Sequence, residues 1–232
     1  MTSNSEYRGL SIAIAMAALF TTTSASAFTF TTGGIPVAGE GLKSSVLGAI
    51  TTDFNSGLSN PANYTGGGVK NGSVAHQWAS PPADTSNYFT VGPSTSATGT
   101  VSFGFLASYF GYYGGSPDGY NSLQLWNDGT LIKSLSGSFL AKIAHVQPNG
   151  DHDDHGDHGG HGHQSVGRYW NIFADNPNEY FNTVKFRSKA NAFETDNHAV
   201  LAVPEPATYA MILAGPGLVS FIARRRKQKE AA

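Results

Sequence analysis

VSFGFLASY, residues 101–109, alternates side chains with a period of two. Successive side chains of a strand point to opposite faces. Val101, Phe103, Phe105, Ala107 and Tyr109 are therefore expected on one face of a strand, and helical spacing gathers no such set. The same pattern extends outward. Residues 121–126 place Leu123 and Leu125 on one side, and residues 130–135 return as the next strand. Between them Asn127-Asp128-Gly129 reads as a hairpin turn, because Asp and Gly accept positive φ. Residues 168–174 and 181–188 repeat the alternation, with Asn176-Pro177-Asn178 as the turn between them. Residues 190–202 read as a last strand carrying Phe193 inward. Residues 51–96 are looser, and Asn71-Gly72 and Ser80-Pro81-Pro82 mark loops there. Residues 42–50 alone have helical spacing in this part of the chain. Short strands separated by Gly, Asn and Pro turns predict a mostly β body, an antiparallel β-sandwich or jelly roll.

The two ends differ from this body. Residues 10–20, LSIAIAMAALF, form an apolar run followed by TTTSASA. That order, with Ala25 and Ala27 in an A-x-A arrangement, predicts a signal peptide over residues 1–27, cleaved by signal peptidase after Ala27. The β-sandwich domain then spans residues 28–202, long enough to bury a core without cross-links. The chain has no cysteine, so an exported body would carry no disulfide framework.

The whole chain has 14 Lys+Arg against 16 Asp+Glu. Arg8, Arg224, Arg225, Arg226, Lys227 and Lys229 belong to the ends, and of the acids only Glu6, Glu205 and Glu230 do. The body is thus clearly acidic. A phosphate backbone would be repelled, so no nucleic-acid partner is expected.

Residues 207–223 are a run of about 17 apolar or small residues, at the short end of the ~17–25 that span a bilayer as a helix. Arg224, Arg225, Arg226 and Lys227 follow at once and act as a basic stop on the cytoplasmic side. Gly215-Pro216-Gly217 interrupts the run, and Pro216 removes a backbone donor there. Just before it stand Val203, Pro204, Glu205 and Pro206. Two prolines fix φ and remove two amide donors, so this segment is extended and cannot join a sheet. Motif, apolar helix and Arg-rich end together, over residues 203–228, resemble the PEP-CTERM sorting signal of Gram-negative bacteria. The resemblance implies an exosortase in the inner membrane that recognises Pro-Glu-Pro and removes the tail. It also implies a localisation: an inner-membrane-anchored intermediate with a periplasmic body, then the cell surface or the extracellular polysaccharide matrix of a biofilm. The order YFGYYGGSPDGYNSLQLWNDG, RYWNIFA, FNTVKFRSKANAFETDNHAV is similar to the body of one set of exosortase-dependent surface proteins, which implies a small β-sandwich and no particular chemistry.

Candidate ligands fall in two groups. Residues 149–165 form a His/Asp/Gly-rich loop containing His152, His155, His158, His161 and His163 with Asp151, Asp153, Asp154 and Asp157. Imidazoles and carboxylates suit zinc, copper or nickel, and glycines let the loop wrap a divalent metal; they also suit a solvated spacer. Asp118, Asn121, Glu194, Asp196 and Asn197 offer oxygen ligands for Ca2+, or else Asx turns and solvent-facing acids. Glu194 and Asp196, two apart on one strand, also admit a reading as a glycosidase pair. Tyr109, Tyr112, Tyr113, Tyr120, Trp126 and Trp170 could stack on sugar rings or pack a core. His76, His145 and His198 stand alone, and a lone His is usually structural or surface-exposed. No nucleophile elbow, phosphate loop or His-Glu-x-x-His occurs. The expectation is a non-enzymatic structural or adhesive surface protein, with a carbohydrate- or metal-binding module on the same scaffold as the alternative.

Overall fold

The computed structural model describes residues 28–56, 62–115, 117–144 and 167–204. The strands are β1 (Thr29–Thr32), β2 (Ile35–Val37), β3 (Gly41–Lys43), β4 (Ile50–Thr52), β5 (Ala62–Gly66), β6 (Gly68–Asn71), β7 (Asn87–Val91), β8 (Thr98–Gly114), β9 (Asn121–Asn127), β10 (Thr130–Ser136), β11 (Arg168–Phe173), β12 (Phe181–Ser188) and β13 (Phe193–Ala202), with one helix, α1 (Gly137–Ile143), after β10. Eleven strands form one antiparallel sheet, and β2 and β3 form a separate ribbon. The mostly β, antiparallel expectation holds.

The opening stretch lies inside β8, which organises the sheet. Its first half pairs with β12 through Val101↔Val184 and with β5 through Val101↔Tyr64. Its second half pairs with β11 through Phe110↔Ile172 and with β13 through Phe110↔Val200. Between the halves the ladder to β12 jumps from Ser102↔Thr183 to Ala107↔Phe181. Extra residues on one strand bend it and raise its twist, and Gly104 within the jump offers no side chain against bending. The sheet therefore curls about residues 103–107, and its two halves face each other. Phe186 of β12 records this: its ring meets Phe110 at 6.0 Å, Phe193 at 5.4 Å and Phe89 at 6.1 Å, on three other strands.

A second irregularity corrects the expected faces: the ladder to β13 passes from Ala107↔Ala202 to Tyr109↔Leu201, two residues of β8 against one of β13. Val101, Phe103 and Ala107 join the main core as the alternation predicts. Tyr109 does not. It belongs to a second cluster with Tyr113, Tyr169 and Ala199, covered by Leu42, Val46 and Ala49, while Phe110 and Tyr112 continue the main core. An irregularity of odd length moves all later side chains to the other face.

Other expectations hold closely. Asp128 and Gly129 turn the β9–β10 hairpin with φ of 46° and 80°. Asn176 caps the 3-10 turn Pro177–Glu179 with its side chain, which accepts from Asn178 N at 3.1 Å. Residues 42–50, expected as helix, are instead the end of β3, a loop and the start of β4. Ser44 Oγ accepts from Val46 N at 3.1 Å and Gly48 takes φ of 80°, so local turn bonds win over helix. Helix α1, the one α-helix among the described residues, is too short for its period to show in the sequence. Ser136 caps it by accepting from Phe139 N at 3.2 Å, and Trp170 Nε1 donates to Leu140 O at 3.1 Å, tying it to the core. A Cβ on Gly137 would run into the Asp118 carbonyl, so this helix start fits against the chain only as glycine.

Candidate functional site

β13 carries the chain out of the sheet. Its ladder with β8 ends at Ala202↔Ala107. One more bond follows, Val203 N donating to Leu106 O at 2.8 Å. Pro204 has no N–H to offer, so pairing stops there, and its side chain is exposed. Val203 and Pro204 thus form the last docked and the first free residue. Glu205, Pro206 and the basic stop Arg224, Arg225, Arg226 and Lys227 lie outside the described residues, as does the apolar run. Among the described residues no helix is long and apolar enough to cross a membrane.

The two metal expectations fare differently. The loop of His152, His155, His158, His161, His163, Asp151, Asp153, Asp154 and Asp157 falls outside the described residues. The five oxygen ligands suggested for Ca2+ are described, and they split. Asp118 O accepts from Asn121 N at 2.9 Å in a turn, and Asn121 Oδ1 accepts from Ser188 Oγ at 2.7 Å. Glu194 Oε1 accepts from Ala79 N at 2.8 Å. Asp196 Oδ1 accepts from Asn197 N at 2.6 Å, and Asn197 Nδ2 donates to the carbonyls of Glu40 and Leu42 at 2.9 and 3.2 Å. The side chains of Asn121, Glu194, Asp196 and Asn197 thus each serve the backbone or a neighbour. Among the described residues no group of three or more His, Asp or Glu side chains is placed to hold a metal ion. The glycosidase reading fails on burial, since Glu194 and Asp196 are both buried with these protein partners. Four of the six aromatics suggested for sugar stacking, Tyr109, Tyr112, Tyr113 and Trp170, are buried as well. Trp170 stacks on Tyr112 with ring centroids 5.2 Å apart. Trp126, half-buried, has the Lys185 ammonium 4.1 Å above its ring.

Two buried polar groups escape a reading of the sequence. Asp196 lies beside Asp84, which arrives from the loop before β7. Asp84 Oδ1 accepts from Ser86 N at 2.8 Å and Ser86 Oγ at 2.6 Å. Its Oδ2 is buried and meets no N–H or serine hydroxyl. The protonated Asp196 carboxyl donates to the Asp84 carboxylate. Burial first, and then the Asp84 charge, push the Asp196 carboxyl up to about 9, so it is a neutral acid at pH 7. Glu40, close by, is also raised, by burial and then by Asp53 and Asp84.

His198 is the second group. It lies among Phe54, Tyr64, Phe89, Phe110 and Phe186, with ring centroids 4.9–5.8 Å away. Its Nδ1 is 3.1 Å from Tyr64 Oη and its Nε2 is 2.8 Å from Thr195 Oγ1. Burial lowers it to about 3, so it stays neutral. It is a core histidine, one of the two uses expected of a lone His, and it meets no carboxylate for catalysis.

The curated proteins contain no match to this chain. The exit from the sheet is another matter. The stretch that begins at the last docked residues of β13 has the composition of a sorting signal, and residues 202–227 match the family model of the PEP-CTERM protein-sorting motif. Such a motif implies an exported, membrane-associated intermediate that an exosortase processes. By this match the chain carries a PEP-CTERM protein-sorting motif, over residues 202–227.

Proposed function

We propose that this chain is a non-catalytic surface or matrix protein whose curled β-sheet, used as a two-layered sandwich, is the exported cargo and whose C-terminal motif is its address. The observation that carries this reading is the end of sheet pairing at Val203 with Pro204 exposed. The two prolines of Pro-Glu-Pro favour an extended backbone, the form that an enzyme gripping backbone would take. The acidic, disulfide-free body supplies structure or adhesion in the envelope or polysaccharide matrix.

Expression of the full chain with and without an exosortase tests this. Intact mass spectrometry is expected to show loss of the segment after residues 203–206 only when the exosortase is present. Glu205→Ala is expected to keep the tail in both hosts. An uncut tail in the wild-type chain with exosortase would leave a plain membrane anchor and defeat the sorting role.

The His/Asp-rich residues 149–165 support a second property on the same scaffold, binding of a divalent metal such as zinc, on their composition. Zinc titration followed by calorimetry is expected to show heat for the full chain at pH 7.5, and none below about pH 6, where the imidazoles protonate. A chain lacking residues 149–165 that bound zinc equally well would end this reading.

A further inference from the structure

We propose that the end of the sheet from which the tail departs rests its apolar side chains on the bilayer surface while the tail is still attached. This rests on the sorting reading above, which makes residues 207–223 the anchor.

Three of the large apolar residues that stand exposed on the fold gather at this end. Leu47 is 96 % exposed, Ile50 54 % and Leu106 40 %. The β4–β13 register pairs Ile50 with Val200. The Leu201 side chain lies against Gly48, next to Leu47. Leu106 sits on the other flank of the exit, where its carbonyl accepts from Val203 N. Adjacent strands are about 4.8 Å apart, so β4 and β8, which carry Ile50 and Leu106, flank the departing β13 within about 10 Å of each other.

The tether is short. Pro204 is the last described residue, and the apolar run begins at Ala207. Three extended residues reach about 10 Å at most, so this end of the body cannot move far from the membrane that holds the run. Apolar side chains held at an interface enter it to a depth of about 5–10 Å. Exposed leucine and isoleucine gain from that transfer and gain nothing in water. Acids frame the patch. Asp128, bonded to Asn182, and exposed Asp175, next to Ala174 whose N–H donates to Ser108 O, belong to the same end. The contact therefore suits zwitterionic lipid better than anionic lipid.

The chain has no cysteine, so single-cysteine variants report one site each. Full-length protein with an environment-sensitive fluorophore at Leu47→Cys, Leu106→Cys, Ala75→Cys or Leu218→Cys would be reconstituted in phosphatidylcholine vesicles with brominated chains. Ala75 lies in the loop whose His76 carbonyl accepts from Asn191, just before β13 and so at the opposite end of that strand from the exit. Quenching at positions 47 and 106 is expected to exceed that at position 75 by about twofold or more, and to weaken when a third of the lipid is phosphatidylserine. Quenching at position 218 with none above the control at 47 and 106 overturns the inference and leaves the anchor standing. No quenching at position 218 overturns the anchor, and the inference with it.

Discussion

Unfolding free energy plotted against pH is expected to form a plateau between about pH 4 and 6.5 and to fall on both sides. Asp196 controls the alkaline side. Its folded value, raised from 3.8 to about 9, means that the folded state keeps a proton the unfolded state releases. Its contribution is complete below about pH 4 and is lost as pH rises toward 9, at up to about 1.4 kcal/mol per pH unit. Asp118 and Glu40, both raised by burial, act in the same direction. His198 controls the acid side. Its folded value is lowered from 6.5 to about 3, so its contribution is complete above pH 6.5 and is lost as pH falls toward 3. Between the two unfolded values the slopes oppose and cancel. Asp196→Asn keeps an amide donor toward Asp84 without an ionisable proton. It is expected to stabilise the protein at pH 8 by about 1–3 kcal/mol and to flatten the alkaline descent. His198→Gln, which can still meet Tyr64 and Thr195, should flatten the acid descent. Urea unfolding across pH 3–9 measures both; an alkaline slope unchanged in Asp196→Asn would show that the buried acid pair does not hold a proton.

The other large effect lies in the core. Phe186→Ala is expected to lower unfolding free energy by about 3–5 kcal/mol. Its ring is fully buried and bridges the two facing halves of the sheet, touching Phe89, Phe110, Tyr112, Phe193 and His198. Strand backbones cannot close such a gap without breaking ladders, so the cavity persists. Leu131→Ala, at a residue 44 % exposed, serves as the control and is expected to change stability by less than about 0.5 kcal/mol. Equal small losses for the two variants would mean that the halves do not close on one core.

Local periodicity and turn chemistry determined much of this protein from the sequence. β9, β10 and β12 were legible because their apolar residues alternate, and the Asp128-Gly129 turn because those residues accept positive φ. The sorting motif was legible because prolines, an apolar run and arginines act through composition and order, without a fold. Tertiary structure alone decided the rest. Tyr109 changed face because bulged residues between β8 and its partners shift the alternation, and a bulge depends on which strands pair. Residues 42–50 became loop and strand because the ribbon and β13 claim their backbone. Asp196 and Glu194, expected near solvent or on calcium, were buried because β13 runs between β7 and β8. Asp84 met Asp196 from a distant part of the chain, and His198 met its aromatic ring of neighbours from four other strands and a loop residue. Such encounters leave no periodic trace, because burial and partnership are set by pairing between residues far apart in the chain.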